Sequence, residues 1–323
     1  MMMPGTQRYI NGQFLISCGI PMLDTTCGGG WYVGSIVLCQ DTLMATSGED
    51  IVKSFLAQGN IDAQMASLSG GKTSGHGANI INTLPAVNGK VVIESVIEPT
   101  PLDIAWQYTK YASTTKTREP SSRFDFSKIG VNITSTVQHI PVPNNSASCV
   151  KERYEAWLDT LRLNVPSGPQ VHRLVLLDLG SPLLFGEMNM EHEQALFSFM
   201  RNLMEWIRKS ASHVTVLITI CPSLFGDDST IAEVLAHHAD AVLSLSSFNE
   251  PTALGVRAVE FKDICGLLTI RKLPRRHTLA NDTPKDRTLG IQRDRKKFRL
   301  VKLHLPPQHS RESSSSCSSK MDF

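Results

Sequence analysis

The sequence predicts an α/β protein with a mainly parallel central sheet flanked by helices and antiparallel edge strands near the C-terminus. Three observations carry that prediction. Residues 173–177 (RLVLL), 214–220 (VTVLITI) and 240–245 (DAVLSL) are short, largely apolar runs of the kind that a parallel sheet covers on both faces. Between the first two, residues 191–210 place Ala195, Leu196, Phe199, Leu203, Trp206 and Ile207 on one helical stripe, and residues 229–238 form a shorter helix before the third. The order strand, helix, strand, helix, strand requires right-handed crossovers, and so parallel neighbours.

The N-terminal third extends the pattern. Residues 19–24 (GIPMLD) and 28–34 (GGGWYVG) read as a turn-rich lead into a buried strand at 35–39 (SIVLC). Ile51, Val52, Phe55 and Leu56 then recur at helical spacing within 49–58. Tyr154, Ala156, Trp157, Leu158 and Leu161 mark a further helix face, while residues 266–272 and 298–305 suit antiparallel strands, the second with clear alternation. The polar stretches 113–127 and 280–288 are expected to be loops. From residue 309 the chain is Ser-rich and is expected to be a disordered tail after a single domain of residues 1–308.

Hydrophobic residues make up 41% of the 323 and charged residues 19%, the balance of a globular protein with a sizeable core. The seven cysteines form no C-x-x-C pair, and their odd count favours reduced, intracellular thiols. No apolar run approaches the roughly 20 residues that span a bilayer, and residues 1–11 carry no signal-peptide core. A soluble protein of the cytoplasm and nucleus, without a membrane partner, is expected. The net charge is +2, but residues 271–311 hold 13 Lys and Arg against three Asp, a local balance of +10 that leaves −8 for the remainder. Such a segment either meets an anionic partner or solvates a surface.

Two places in the sequence invite comparison with a phosphate-binding loop. The frame Ala66 to Thr73 ends in Gly71-Lys72-Thr73, as a phosphate loop does, but has alanine at the first glycine, and Ser74-Gly75-His76-Gly77 reads as continued loop where a helix should open. The proper place, after the strand ending at Cys39, reads Gln40-Asp41-Thr42-Leu43-Met44-Ala45-Thr46-Ser47-Gly48-Glu49: one glycine, no lysine before Lys53, and two acids that repel phosphate. Asp178, at the end of an apolar strand, stands where a magnesium-holding acid would, or is simply a polar strand end. The adjacent His237 and His238 point to different sides of their helix, no His/Cys set has metal-ligand spacing, and no G-x-S-x-G elbow is present.

The chain resembles the PAXNEB family. The resemblance begins at Gly19-Ile20-Pro21-Met22-Leu23-Asp24 with Gly28-Gly29-Gly30 and Gly34-Ser35, a pattern shared with RecA-like proteins. It continues in order through Phe55-Leu56-Ala57-Gln58-Gly59, Ile104-Ala105-Trp106-Gln107-Tyr108, Phe124-Asp125-Phe126-Ser127-Lys128 and Leu179-Gly180-Ser181-Pro182-Leu183. It closes on Lys296-Lys297-Phe298-Arg299-Leu300-Val301-Lys302-Leu303-His304-Leu305-Pro306-Pro307. Cys27 and Trp31, in place of aliphatic residues, and Gln40-Asp41-Thr42 depart from the family pattern.

The resemblance implies a RecA-like fold without working Walker motifs and an accessory, non-catalytic role. It implies a heterohexameric ring with the fifth and sixth Elongator subunits, which serves the catalytic Elongator subcomplex, binds tRNA and supports 5-carboxymethyl-type modification of the wobble uridine. It implies no cofactor for the isolated chain, with ATP belonging to the assembled ring. Within the basic segment, Arg293, Arg295, Lys296 and Lys297 are the candidate tRNA contacts. The competing reading is a RecA-like ATPase with its own nucleotide site, using Asp178 for magnesium and Lys72 or Lys53 for phosphate. A RecA paralogue acting on DNA fits the glycine block but not the closing signature.

Overall fold

Nine strands line up in one sheet in the computed structural model, which describes residues 3–9, 12–41, 47–71, 73, 75–87, 124–143, 149–166, 168–226, 230–247, 263–273 and 287–303. In chain order the elements are β1 (Thr6–Arg8), β2 (Phe14–Ile16), α1 (Pro21–Thr26), β3 (Trp31–Tyr32), β4 (Ile36–Gln40), α2 (Ser47–Ile61), β5 (Met65–Gly70), α3 (His76–Asn82), β6 (Pro85–Val87), β7 (Phe124–Ile129), α4 (Val131–Thr134) and β8 (Val137–Ile140). They continue as α5 (Val150–Asn164), β9 (His172–Leu177), α6 (Pro182–Phe185), α7 (Met190–Lys209), β10 (Val214–Ile220), α8 (Ile231–His238), β11 (Ala241–Ser247), β12 (Gly266–Lys272), β13 (Thr288–Arg293) and β14 (Phe298–Lys302).

The sheet order is β14-β13-β12-β11-β4-β10-β9-β5-β8. From β11 to β8 every neighbour is parallel, while β12, β13 and β14 add antiparallel at one edge. The central parallel strands are largely apolar because both faces are covered: on β4, Val37 and Cys39 face the cluster of Phe55 and Leu56 from α2. Ile36 and Leu38 face the opposite cluster, which contains Trp157 of α5, Phe199 of α7 and Leu235 of α8. That second core is aromatic at its centre, with Trp157 stacked on Phe199 and Tyr154 on Phe185.

The glycine-rich lead is a packing device. Gly19 has φ +89, and a Cβ there would meet Ser54 O at 2.5 Å, so the lead lies directly on the α2 backbone. Asp24, buried on α1, accepts from Ser17 Oγ at 2.5 Å and Cys18 N at 2.8 Å. Trp31 packs on Phe55 with ring centroids 5.2 Å apart.

Four expectations need correction. The lead contains a helix, α1, started by Pro21, whose fixed φ suits a first helical position. Residues 124–127, expected as loop, belong to β7, which pairs with β6 in a small ribbon. Thr288, expected as the last residue of a loop, instead begins β13, which lies between the two expected C-terminal strands. His76 and Gly77, expected to continue a loop, open α3. Most of the remaining loop expectations, residues 113–123 and 280–286, lie outside the described residues, as does the tail from 309 and the block at residues 104–108. No described helix is long and apolar enough to cross a membrane.

Candidate functional site

The connections after β4 and β5 lead to helices on one face of the sheet, and those after β9 and β10 lead to the other. Adjacent strands whose chains part in this way open a crevice at their carboxyl ends, the usual ligand position in a parallel sheet. Here the pairs are β4 beside β10 and β9 beside β5. The start of α2 faces this crevice, and a helix start offers free N–H groups to an anion.

That anion position is filled from within the chain. Asp41, next after β4, accepts from the backbone N–H of Gly48 through Oδ2 at 3.0 Å. Two more acids follow on the first turn of α2, and each meets a cation of the same chain. Glu49 Oε1 lies 3.2 Å from His76 Nε2, with Lys53 3.8 Å from its other oxygen. Asp50, buried, accepts from Arg293 Nε at 2.6 Å.

His76 reaches two carboxylates, since its Nδ1 lies 3.6 Å from Asp178 Oδ2. Asp178 and Glu49 together push the His76 pKa up to about 9 against the opposing effect of burial. The Glu49 contact has hydrogen-bond length, whereas the Asp178 contact is ionic. Asp178 sits at the carboxyl end of β9 as the sequence implied, in a left-handed conformation with φ +50, its N–H donating to Thr219 Oγ1. No hydrogen-bond donor among the described residues reaches its buried Oδ2.

The Gly71-Lys72-Thr73 frame cannot wrap a phosphate as a glycine loop does, because Ala66 to Gly70 lie in β5. Two of its serines face the core, Ser69 accepting from Trp157 Nε1 and Ser67 meeting His172 Nε2. The Lys72 side chain lies outside the described residues. Lys53 lies well inside α2 and pairs with Glu49. Asp41 and Glu49 place negative charge where a nucleoside triphosphate would bring its phosphates. Among the described residues no group of three or more His, Cys, Asp or Glu is placed to hold a metal ion.

The four basic candidates converge on one hairpin but not in one role. Arg295, Lys296 and Lys297 are exposed in the β13–β14 turn. Arg293 is exposed as well, with its side chain 30% accessible, but its guanidinium is engaged: besides Asp50, it lies 4.8 Å from the Phe126 ring centroid. The sequence reading missed both of its partners, although Phe126 belongs to a block that resembles the family. It also missed His76, which lacks any local motif.

A groove of about 480 Å³ lies at the other end of the sheet, against the amino ends of β5, β8 and β9, lined by Asn60, Gln64, Ser67, Gln138 and His172. Its polar groups serve the fold: Gln64 binds Arg173, Asn60 binds Thr136, and burial holds His172 neutral with its pKa down at about 4.

Comparison with known proteins decides the kinship. The PAXNEB protein family profile matches residues 1–322. The chain belongs to the PAXNEB family. Curated relatives named Elongator complex protein 4 include those of Homo sapiens, 29% identical over 99% of this chain and 83% of the relative, and Xenopus laevis, 28% identical over 99% and 86%. The Mus musculus protein of that name is 29% identical over 95% of this chain and 80% of its own. The family match therefore covers both the capped crevice and the basic hairpin.

Proposed function

We propose that this chain is a non-catalytic subunit of the Elongator complex, built with the fifth and sixth subunits into a heterohexameric ring of RecA-like folds. On this reading the ring binds tRNA, works with the catalytic Elongator subcomplex and supports 5-carboxymethyl-type modification of uridine at the wobble position. Any ATP binding or hydrolysis belongs to the assembled ring. The protein acts in the cytoplasm and nucleus.

The observation that carries the non-catalytic part is the Asp41 cap on Gly48, since a carboxylate of the chain takes the helix N–H that a phosphate would need. The relatives' shared name supports the complex, and a parallel sheet with helices on both faces suits a RecA-like fold. The basic β13–β14 hairpin supports an RNA-facing surface.

The second reading, an ATPase in its own right, draws on Asp178, whose Oδ2 lies at the carboxyl end of β9 without a hydrogen-bond donor among the described residues. Calorimetric titration of the isolated chain with Mg-ATP separates the two. The expected result is no tight binding. Submicromolar affinity that is lost in Lys72→Ala would establish the second reading instead.

A further inference from the structure

The basic segment contains two kinds of arginine and lysine, and the structure tells them apart. Arg295, Lys296, Lys297 and Arg299 are exposed on the hairpin, as is Arg293, and the difference lies in what each touches. Arg293 is committed on three sides: its Nε donates to Asp50, its plane lies over Phe126, and its Nη1 donates to Asp294 O. Phe126 is itself fixed, edge-on to Phe298 with centroids 6.2 Å apart, and its N–H donates to Lys296 O at 2.9 Å. The turn is closed by Asp294 N–H donating to Lys297 O at 2.9 Å.

A guanidinium that donates through Nε to a buried carboxylate and lies over a ring is held by packing as well as charge. Asp50 is 7% exposed at its side chain, so withdrawing Arg293 to reach an RNA phosphate would strand a buried carboxylate. The same three groups tie the hairpin to two distant parts of the chain, the first turn of α2 and the β6–β7 ribbon.

We propose that Arg293 is a positioning residue, anchored by Asp50 and Phe126, that orients the β13–β14 hairpin so that Arg295, Lys296, Lys297 and Arg299 present a preorganised row of phosphate contacts. This rests on the RNA-binding reading given above and assigns Asp50 and Phe126 to it. Preorganisation matters because binding then costs less ordering of long side chains.

The test is fluorescence anisotropy with labelled tRNA across a salt series, on the affinity-purified full chain with the subunits that accompany it. Asp50→Asn separates the roles by sign. If Arg293 is an anchor, the substitution weakens binding several-fold although it removes a negative charge, and Asp50→Glu, which keeps the ion pair, restores it. If Arg293 is a phosphate contact, releasing it from Asp50 tightens binding and the proposal is overturned. Phe126→Leu gives the same sign test with the ion pair intact, should Asp50→Asn not fold. Lys296→Ala with Lys297→Ala is the control on the underlying reading: it should lower the logarithmic salt slope by about 1.4 to 1.8, at roughly 0.7 to 0.9 per phosphate. An unchanged slope in that double variant would remove both the RNA surface and its anchor. A lowered slope there with tighter binding by Asp50→Asn removes only the anchor.

Discussion

The carboxylate of Asp41 accepts a hydrogen bond from the backbone N–H of Gly48 at 3.0 Å, so the start of α2 carries its own anion. The contact is close: a Cβ on Gly48 would sit 2.1 Å from Asp41 Oδ2, so any other residue there must displace the Asp41 carboxylate. This arrangement accounts for an acid at a place where a nucleotide-binding relative of the fold would keep glycines and a lysine.

Asp41→Ala should therefore destabilise the protein by about 1 kcal/mol, as loss of a helix cap does. Asp41→Asn should retain most of the stability, because the amide oxygen still accepts from Gly48. Urea unfolding of the two variants checks the order. Equal losses in both would show that the charge matters and the cap does not.

His76 makes a pH-dependent contribution whose sign follows from its raised pKa. The ring gains Asp178 and Glu49 on folding, and its pKa rises from an ordinary value near 6.5 to about 9. The stabilisation is complete below about pH 6.5 and is lost as pH rises through about 9. His76 is partly open to solvent, so screening limits the effect to roughly 1 kcal/mol. The stability gap between the native chain and His76→Gln should be widest at pH 6 and close by pH 10. A gap that stays constant with pH would mean that His76 acts only through packing.

Arg173 is the least expected core residue. Fully buried on β9, it donates to Asp62 Oδ2 at 2.9 Å, Gln64 Oε1 at 2.7 Å, and the backbone oxygens of Ser17 and Phe55, with its plane over the Phe55 ring. It thereby joins the glycine-rich lead, α2 and the sheet. Arg173→Ala should cost about 3–5 kcal/mol, since it leaves Asp62 without its counter-charge in a largely buried place. Arg173→Lys should recover little of this, because an ammonium cannot reproduce the fork. Full recovery by lysine, read from chemical unfolding, would contradict the network.

The central strands were legible because burial on both faces leaves continuous apolar runs, as in residues 214–220, which match β10 end to end. β13 was not legible: Gly290 interrupts Leu289 and Ile291, and the strand ends on charge. α3 was hidden by Gly75 and Gly77, which read as loop punctuation, yet Gly77 lies where a Cβ would strike the His139 ring at 2.7 Å. In the site, the acids after β4 were readable as hostile to phosphate, but their cations were not. Arg293 and Asp50 are separated by 243 positions, and no local pattern announces such a pair. Charge counting accordingly grouped Arg293 with Arg295, Lys296 and Lys297, whereas in the structure its guanidinium is held by Asp50 and Phe126.

The proposed role depends on membership of the Elongator complex. Affinity purification of the full chain from its own cells, with quantitative mass spectrometry of what accompanies it, measures that. The fifth and sixth Elongator subunits are expected in amounts equal to the chain itself, with the catalytic subcomplex also present. Recovery of the chain as a monodisperse monomer, with neither subunit enriched, would contradict it.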